Sequence, residues 1–258
     1  MSIKLDDLEI NSFKIYQDKN EFAFSMDSVL LSNFIIREEK LDKSSSKNYN
    51  IIDLCSGNIP IPLIIYAKSK KDIKIDCIEV NKKQTELSKK SLEYNKQFKK
   101  SIEKDIKVVN DDIKNIYLNK NRYKEAYNTY DIVSCNPPYK RNGAYLKSIN
   151  QNKNIAKNEV DISFFEICKI SNLLLKSNKN FYIVNRTERL TEIFESLRQN
   201  KIEPKKIQFI HSYVDKPSKL FLLKSVKGGK MGLTVLNPII IYKEKFKYTD
   251  EVLSIYGK

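Results

Sequence analysis

Between residue 50 and about residue 200, short apolar runs alternate with longer amphipathic stretches, and few folds accommodate that order. The runs read as strands at Ile51–Cys55, Ile73–Glu79, Ile106–Asn110, Asp131–Cys135 and Asn180–Asn185. The stretches between them read as helices at Pro60–Lys68, Lys82–Phe98, Glu159–Lys176 and Glu188–Asn200. In Lys82–Phe98, Leu87, Tyr94 and Phe98 recur at helical spacing with lysines elsewhere, the mark of one buried face. Strands separated by helices imply an α/β architecture, with a mainly parallel sheet covered on both faces. Past residue 200 the pattern becomes strand-rich, at Lys206–Ser212, Lys219–Val226 and Thr234–Tyr242. Gly228-Gly229 is expected to turn a hairpin between the last two, giving the sheet an antiparallel C-terminal edge.

Residues 1–48 form a segment of different character, and 49–258 the main domain. The segment opens with an expected extended pair, Phe13–Tyr16 and Glu21–Phe24, then a helix from about Met26 to Arg37 that Ser25 is placed to cap. Asp42–Asn50 is a polar linker. A longer irregular stretch, Lys140–Lys157, carries Lys140, Arg141, Lys147, Lys153, Lys157 and Tyr145. A loop of that length contacts substrate or simply drifts on the surface, and the sequence leaves both open.

Several classes are excluded or narrowed by composition. The chain has one histidine, His211, which argues against a histidine base or a multi-histidine metal site. Cys55, Cys77, Cys135 and Cys168 have no C-x-x-C spacing, so core thiols are expected in place of a metal centre or disulfides. No apolar run reaches the ~18 residues a membrane span needs. The N-terminus lacks a signal-peptide layout, and a cytoplasmic protein is expected. The formal net charge of +15 suggests a polyanionic partner, although lysine enrichment from A/T-rich codons would give a similar surface.

Open parallel sheets bind ligands beyond the carboxyl ends of their strands, where strand order reverses. Four features would meet there. Asp53 and Gly57 follow the first strand of the alternation, Glu79 ends the second, Asp111-Asp112 follow the third, and Asn136-Pro137-Pro138-Tyr139 follow the fourth. The two prolines rigidify the last turn and an aromatic follows at once.

An Asn-Pro-Pro-Tyr turn after a fourth strand resembles the signature of S-adenosylmethionine-dependent amino-methyltransferases of the Rossmann-like class I. With "FAFSMDSVLLSNF", "IIDLCSGN", "CIEV", "NDDIKN", "IEPKKIQFIHS" and "NPIIIY", the likeness extends over most of the chain. It points to the bacterial tRNA adenine methyltransferases acting at position 37, beside the anticodon. The resemblance implies a Rossmann-like class I fold with a mainly parallel seven-stranded sheet, S-adenosylmethionine as cofactor, tRNA as partner, no metal, and a monomer. It implies that Asn136 and the Pro137 carbonyl accept hydrogen bonds from the target amine while Tyr139 stacks on the flipped base. Pro138, Lys140, Arg141, Arg186 and Arg189 would contact the RNA, and a basic surface is expected from the Lys140–Lys157 loop, Arg186, Arg189 and the tail lysines Lys216, Lys219, Lys224 and Lys227. Glu79 and Val80 would hold the ribose, Asp112 and Ile113 the adenine, and Asp53, Cys55, Ser56 and Gly57 the methionine end. Asn136 would also border the cofactor. Ser25 and Asp27 would close over it, making residues 1–48 a cap.

One departure stands out. Relatives usually carry a further glycine two places after Gly57, where this chain has Ile59 followed by Pro60. A residue before proline is pushed toward extended geometry, so Ile59 is expected as an extended N-cap, with helix-end N–H groups available to an anion. Asn58 would take a left-handed conformation if the turn needs one. Two alternatives compete with tRNA methylation: a release-factor-type glutamine methyltransferase, and an RNA-binding module that has lost its cofactor. The first normally carries a larger helical domain ahead of the first strand, whereas only about fifty residues precede it here.

Overall fold

The computed structural model describes residues 3–18, 25–137 and 162–257. Their centre is an eight-stranded sheet built from β3 (Tyr49–Leu54), β4 (Ile73–Glu79), β5 (Ile106–Asn110), β6 (Tyr130–Cys135), β7 (Leu175–Arg186), β8 (Ile202–His211), β9 (Leu220–Lys227) and β10 (Thr234–Ile240). Its order is β10-β8-β9-β7-β6-β3-β4-β5. Neighbours run parallel, except that β9 lies antiparallel between β7 and β8. The order reverses at β3, which pairs with β4 on one side and β6 on the other.

Alternate strand residues feed two cores. Ile51, Ile75 and Ile132 join a cluster with α1 (Met26–Glu39) and α2 (Pro60–Lys68). Ile52, Ile78 and Val133 join another with α7 (Phe164–Leu174) and α8 (Leu190–Gln199). Side chains alternate across a strand, so these cores cover opposite faces of the sheet. Short helices α4 (Ile102–Asp105), α5 (Asn115–Leu118) and α6 (Lys120–Tyr123) lie between β4 and β6, after α3 (Lys82–Asn95). The chain closes with β11 (Tyr242–Glu244), β12 (Lys247–Tyr248) and α9 (Asp250–Ile255).

Two expectations are corrected, the Gly228-Gly229 hairpin and the Ser25 cap. Gly228-Gly229 does turn the chain, with Gly228 at φ +68°, but β9 and β10 do not pair as a hairpin. Both edges of β9 are already taken by β7 and β8, so β10 crosses over and adds to β8 in parallel, as an eighth strand. The strand near Phe13–Tyr16 is β2 (Lys14–Asp18), and its partner is β1 (Ile3–Asp7). Glu21–Phe24, the partner expected from sequence, lies outside the described residues. Ser25 occupies the N-cap position of α1, yet its side chain makes no cap hydrogen bond.

The N-terminal strands are held to the domain by α3. Asn95 accepts from the Lys14 N–H at 2.9 Å and donates to the Lys14 carbonyl, while Ser91 Oγ accepts from the Tyr16 N–H at 2.9 Å. This explains a helix whose buried face is partly polar: Ser88, Ser91 and Asn95 are fully buried because they bond backbone of β2 or of neighbouring turns.

Candidate functional site

The turn after β3 carries left-handed φ angles at three alternate residues: Cys55 (+55°), Gly57 (+54°) and Ile59 (+61°). A Cβ added at Gly57 would meet nothing within 4 Å, so conformation, and not space, asks for glycine there. Ile59 is the N-cap of α2 as expected, but at φ 61°, ψ 40° it is left-handed, not extended. It takes the conformation that a second glycine would take without strain. That conformation costs an L-residue ~1–2 kcal/mol, and more weight falls on a β-branched one. The side chain is fully buried in the core with α1 and α2, which offsets the strain by ~1.5–3 kcal/mol. Asn58 instead keeps negative φ and donates to the Tyr16 carbonyl at 3.0 Å.

The helix end offers less to an anion than expected. The Ile59 N–H bonds the Ser56 carbonyl at 2.9 Å, and Pro60 and Pro62 have no N–H, so Ile61 carries the single donor among residues 60–62. The Gly57 N–H is also engaged, by Glu79 Oε2 at 2.8 Å. The other Glu79 oxygen accepts from the Asn81 N–H at 2.8 Å. Glu79 is therefore both a strand-end acid and a tie between the turn after β3 and the start of α3. Asn81 completes that start by accepting from the Lys83 and Gln84 N–H groups.

Asp53 sits beside Ser134 in the β3–β6 register. It is 1% exposed; Ser134 Oγ donates to its Oδ1 at 2.5 Å, and its Oδ2 is buried with no partner among the described residues. Burial raises its pKa from 3.8 to about 7, against the lowering bond from Ser134 and with added repulsion from Glu79. Ser56 Oγ is a second buried polar atom without a partner among the described residues. Buried polar groups are nearly always satisfied; of five such atoms among the described residues, these two lie three residues apart, at the end of β3 and in the turn after it, beside the strand-order reversal where open sheets bind ligands. Cys55 is half-buried; Cys77, Cys135 and Cys168 are buried, and all four thiols are free. Burial, then contact with Cys55, pushes the Cys135 thiol up.

Of the paired acids after β5, Asp111 is structural. Burial raises its pKa, but hydrogen bonds from Tyr123 and Asn115 and the charge of Arg122 outweigh this and leave it lowered. Asp112 is the more open of the two, its side chain 37% exposed, and accepts from the Lys114 N–H. Val80 is half-buried, and Ile113 packs into the core.

At the end of β6, Asn136 is half-buried and Pro137 buried. Asn136 Nδ2 donates to Ser28 Oγ on α1 at 3.3 Å. In this way the structure brings α1 to the strand-end cluster. Asp27 is half-buried beside Ser28, and Ser25 is exposed. Pro138, Tyr139, Lys140, Arg141 and the Lys140–Lys157 loop lie outside the described residues. A separate cavity of about 400 Å³ is lined by Asp7, Glu9, Met26, Tyr248 and Tyr256 among others, and includes none of the strand-end acids.

The expected basic surface needs correction. Arg186 is exposed, but Arg189 is buried, its guanidinium held by both carboxylate oxygens of Glu192. Lys224 is mostly buried between Glu38 and Glu39, and Lys227 bonds Asn128, Asn172 and Leu175. These cations hold elements together. Ser134 and Ser28 were missed by sequence reasoning. Ser134 could have been found from the β3–β6 register with Asp53, whereas Ser28 had no signal beyond its place beside Asp27.

No family model matches the sequence, and no curated protein does. Solved structures do match. A predicted O-methyltransferase from Agrobacterium tumefaciens aligns with a TM-score of 0.68 at 18% identity, over 90% of this chain and 96% of that one. The fold is that of the Rossmann-like class I methyltransferases. A Pyrococcus horikoshii protein assigned as an RNA methyltransferase aligns at 0.51 and 11% identity, over 78% and 82%. TYW2 of P. horikoshii, in complex with MeSAdo, aligns at 0.53 and 14%, over 88% and 72%. Fold alone does not assign a reaction, so the chemistry must come from the site.

Proposed function

We propose that this chain is a methyltransferase that uses S-adenosylmethionine to methylate the exocyclic N6 amine of an adenosine in tRNA, at position 37. The observation that carries the reading is the buried Asp53 Oδ2, without a partner among the described residues, at the strand-order reversal and in the same cluster of strand ends as Glu79 and Asn136. The donor set fits the cofactor. Asp53 and Ser56 would receive the polar methionine end within the Cys55–Gly57 turn. Glu79 and Val80 would hold the ribose, and Asp112 and Ile113 the adenine, with Ser25 and Asp27 from the N-terminal segment above. The bound cofactor supplies an electrophilic methyl group on a sulfonium.

The rest is performed by the chain's own residues. Asn136 Oδ1 and the Pro137 carbonyl would accept from the two N–H groups of the target amine, localising its lone pair and aiming it. Tyr139 would stack on the extruded base, worth ~1–3 kcal/mol. No histidine base is needed, which suits a chain with only His211. The net charge of +15 and the fold's likeness to a protein assigned as an RNA methyltransferase support an RNA acceptor. The left-handed Ile59 argues against a lost cofactor site, because the turn keeps its glycine-like path at a cost in strain.

The test is calorimetric titration with S-adenosylmethionine, followed by methyl transfer to total tRNA from a strain lacking the gene and mapping of the modified adenosines. Binding and methylation at position 37 are expected, with Asn136→Ala abolishing transfer but not binding. Absence of binding would favour the RNA-binding module. Binding without tRNA methylation, and transfer to a protein glutamine instead, would move the acceptor to an amide.

A further inference from the structure

We propose that Ser28 is a positioning residue for the acceptor amine, so that α1 serves the substrate side of the site as well as closing over the cofactor. The proposal rests on the reading of Asn136 given above. Ser28 is 4% exposed and lies 108 residues from Asn136 in sequence, yet its Oγ stands 3.3 Å from Asn136 Nδ2. Its place is firm on both sides. The Ser28 N–H bonds the Ser25 carbonyl at 3.1 Å, and the Ser28 carbonyl accepts from Ser32 Oγ at 2.6 Å. The next residues, Val29, Leu30 and Leu31, are buried in the core that α1 shares with α2.

The chemistry gives such a contact a use. A side-chain amide has opposite ends, and a half-turn about its last torsion exchanges acceptor for donor. An amine to be methylated must meet the oxygen. If Nδ2 met it instead, two donors would face each other. A hydroxyl accepting from Nδ2 on the far side biases the amide toward presenting Oδ1. In the contact made here the Ser28 hydroxyl is the acceptor and the Asn136 NH2 end the donor.

Ser28→Ala and Ser28→Thr are compared with wild type. A neutral hydrogen bond biases an orientation by roughly tenfold, so Ser28→Ala should lower kcat on tRNA by about that factor. Its S-adenosylmethionine dissociation constant and KM for tRNA should hold, and threonine should restore kcat. Independently of turnover, the Asn136 side-chain amide resonances should move in Ser28→Ala when followed by ¹⁵N NMR. A Ser28→Ala enzyme with wild-type kcat, or unmoved Asn136 amide signals, overturns the proposal while tRNA methylation by the wild type stands. A wild type that binds cofactor but does not methylate tRNA overturns the reading of Asn136 and the proposal with it.

Discussion

Replacing Ile59 by glycine and by alanine separates strain from packing at the turn after β3. The wild-type side chain is fully buried, so truncation to alanine should cost ~2–5 kcal/mol from lost transfer energy and the cavity left behind. Alanine keeps a Cβ and therefore keeps the left-handed penalty of ~1–2 kcal/mol at φ 61°. Glycine loses slightly more buried surface but escapes that penalty. Part of the relief, ~0.5–1 kcal/mol, is returned as the greater freedom of glycine in the unfolded chain. With the lost burial of one methyl-sized group, ~0.8 kcal/mol, set against the relief, the two variants are expected within ~0.5 kcal/mol of each other and both well below wild type. Urea unfolding of the ligand-free proteins, compared by midpoint at constant slope, reads this directly. Alanine more stable than glycine by over ~1 kcal/mol, the gap expected when only glycine's freedom and the lost methyl count, would mean that residue 59 is not left-handed. The same pair bears on the cofactor. Because Ile59 already follows the glycine path and points into the core, Ile59→Gly should leave S-adenosylmethionine affinity within about threefold of wild type, or ~0.6 kcal/mol. A large gain would show that the isoleucine distorts the turn.

Asp53, raised to about 7, binds a proton in the folded state that the unfolded chain releases near 3.8, so ligand-free stability should fall as pH rises between about 4 and 7, by up to ~4 kcal/mol. Asp53→Asn should lose that slope, and parallel pH–stability curves for the two proteins would refute the assignment. Glu79→Ala should raise the S-adenosylmethionine dissociation constant ~10- to 100-fold, since it removes charged hydrogen bonds, and an unchanged constant would leave Glu79 as a tie between turns only. Glutamine at the exposed Lys216 and Lys219 should flatten the log–log salt dependence of tRNA binding by up to about one unit each. Glutamine at Lys224 or Lys227 should lower stability and leave the slope alone; equal flattening at all four positions would overturn the division between surface and structural lysines.

The sequence revealed what is local and missed what is made by distant partners. Ile73–Glu79, Ile106–Asn110 and Pro60–Lys68 were readable to the residue because an apolar run and its flanking turn residues lie together in the chain. The strand at Lys219–Val226 was readable for the same reason, but its neighbours were not. Its pairing is decided by which sheet edges remain open, and β7 and β8 occupy both. Charge fails in the same way. Nothing near Lys224 shows that Glu38 and Glu39 await it, and a glutamate three residues along does not reveal whether Arg189 faces water or core. At Ile59 two local rules conflicted. The proline that follows favours extended geometry, the turn requires a left-handed residue, and the turn prevailed because the buried isoleucine offsets its strain. The site divides along the same line. Asp53, Glu79 and Asn136 are visible as strand-end residues. Their chemical state depends on neighbours contributed by other segments: Ser134 and a buried environment for Asp53, the Gly57 and Asn81 N–H groups for Glu79, Ser28 for Asn136. A sequence can therefore place an acid at the mouth of a sheet. Whether that acid holds a proton, and which end of an amide faces the substrate, follows only from the packing around it.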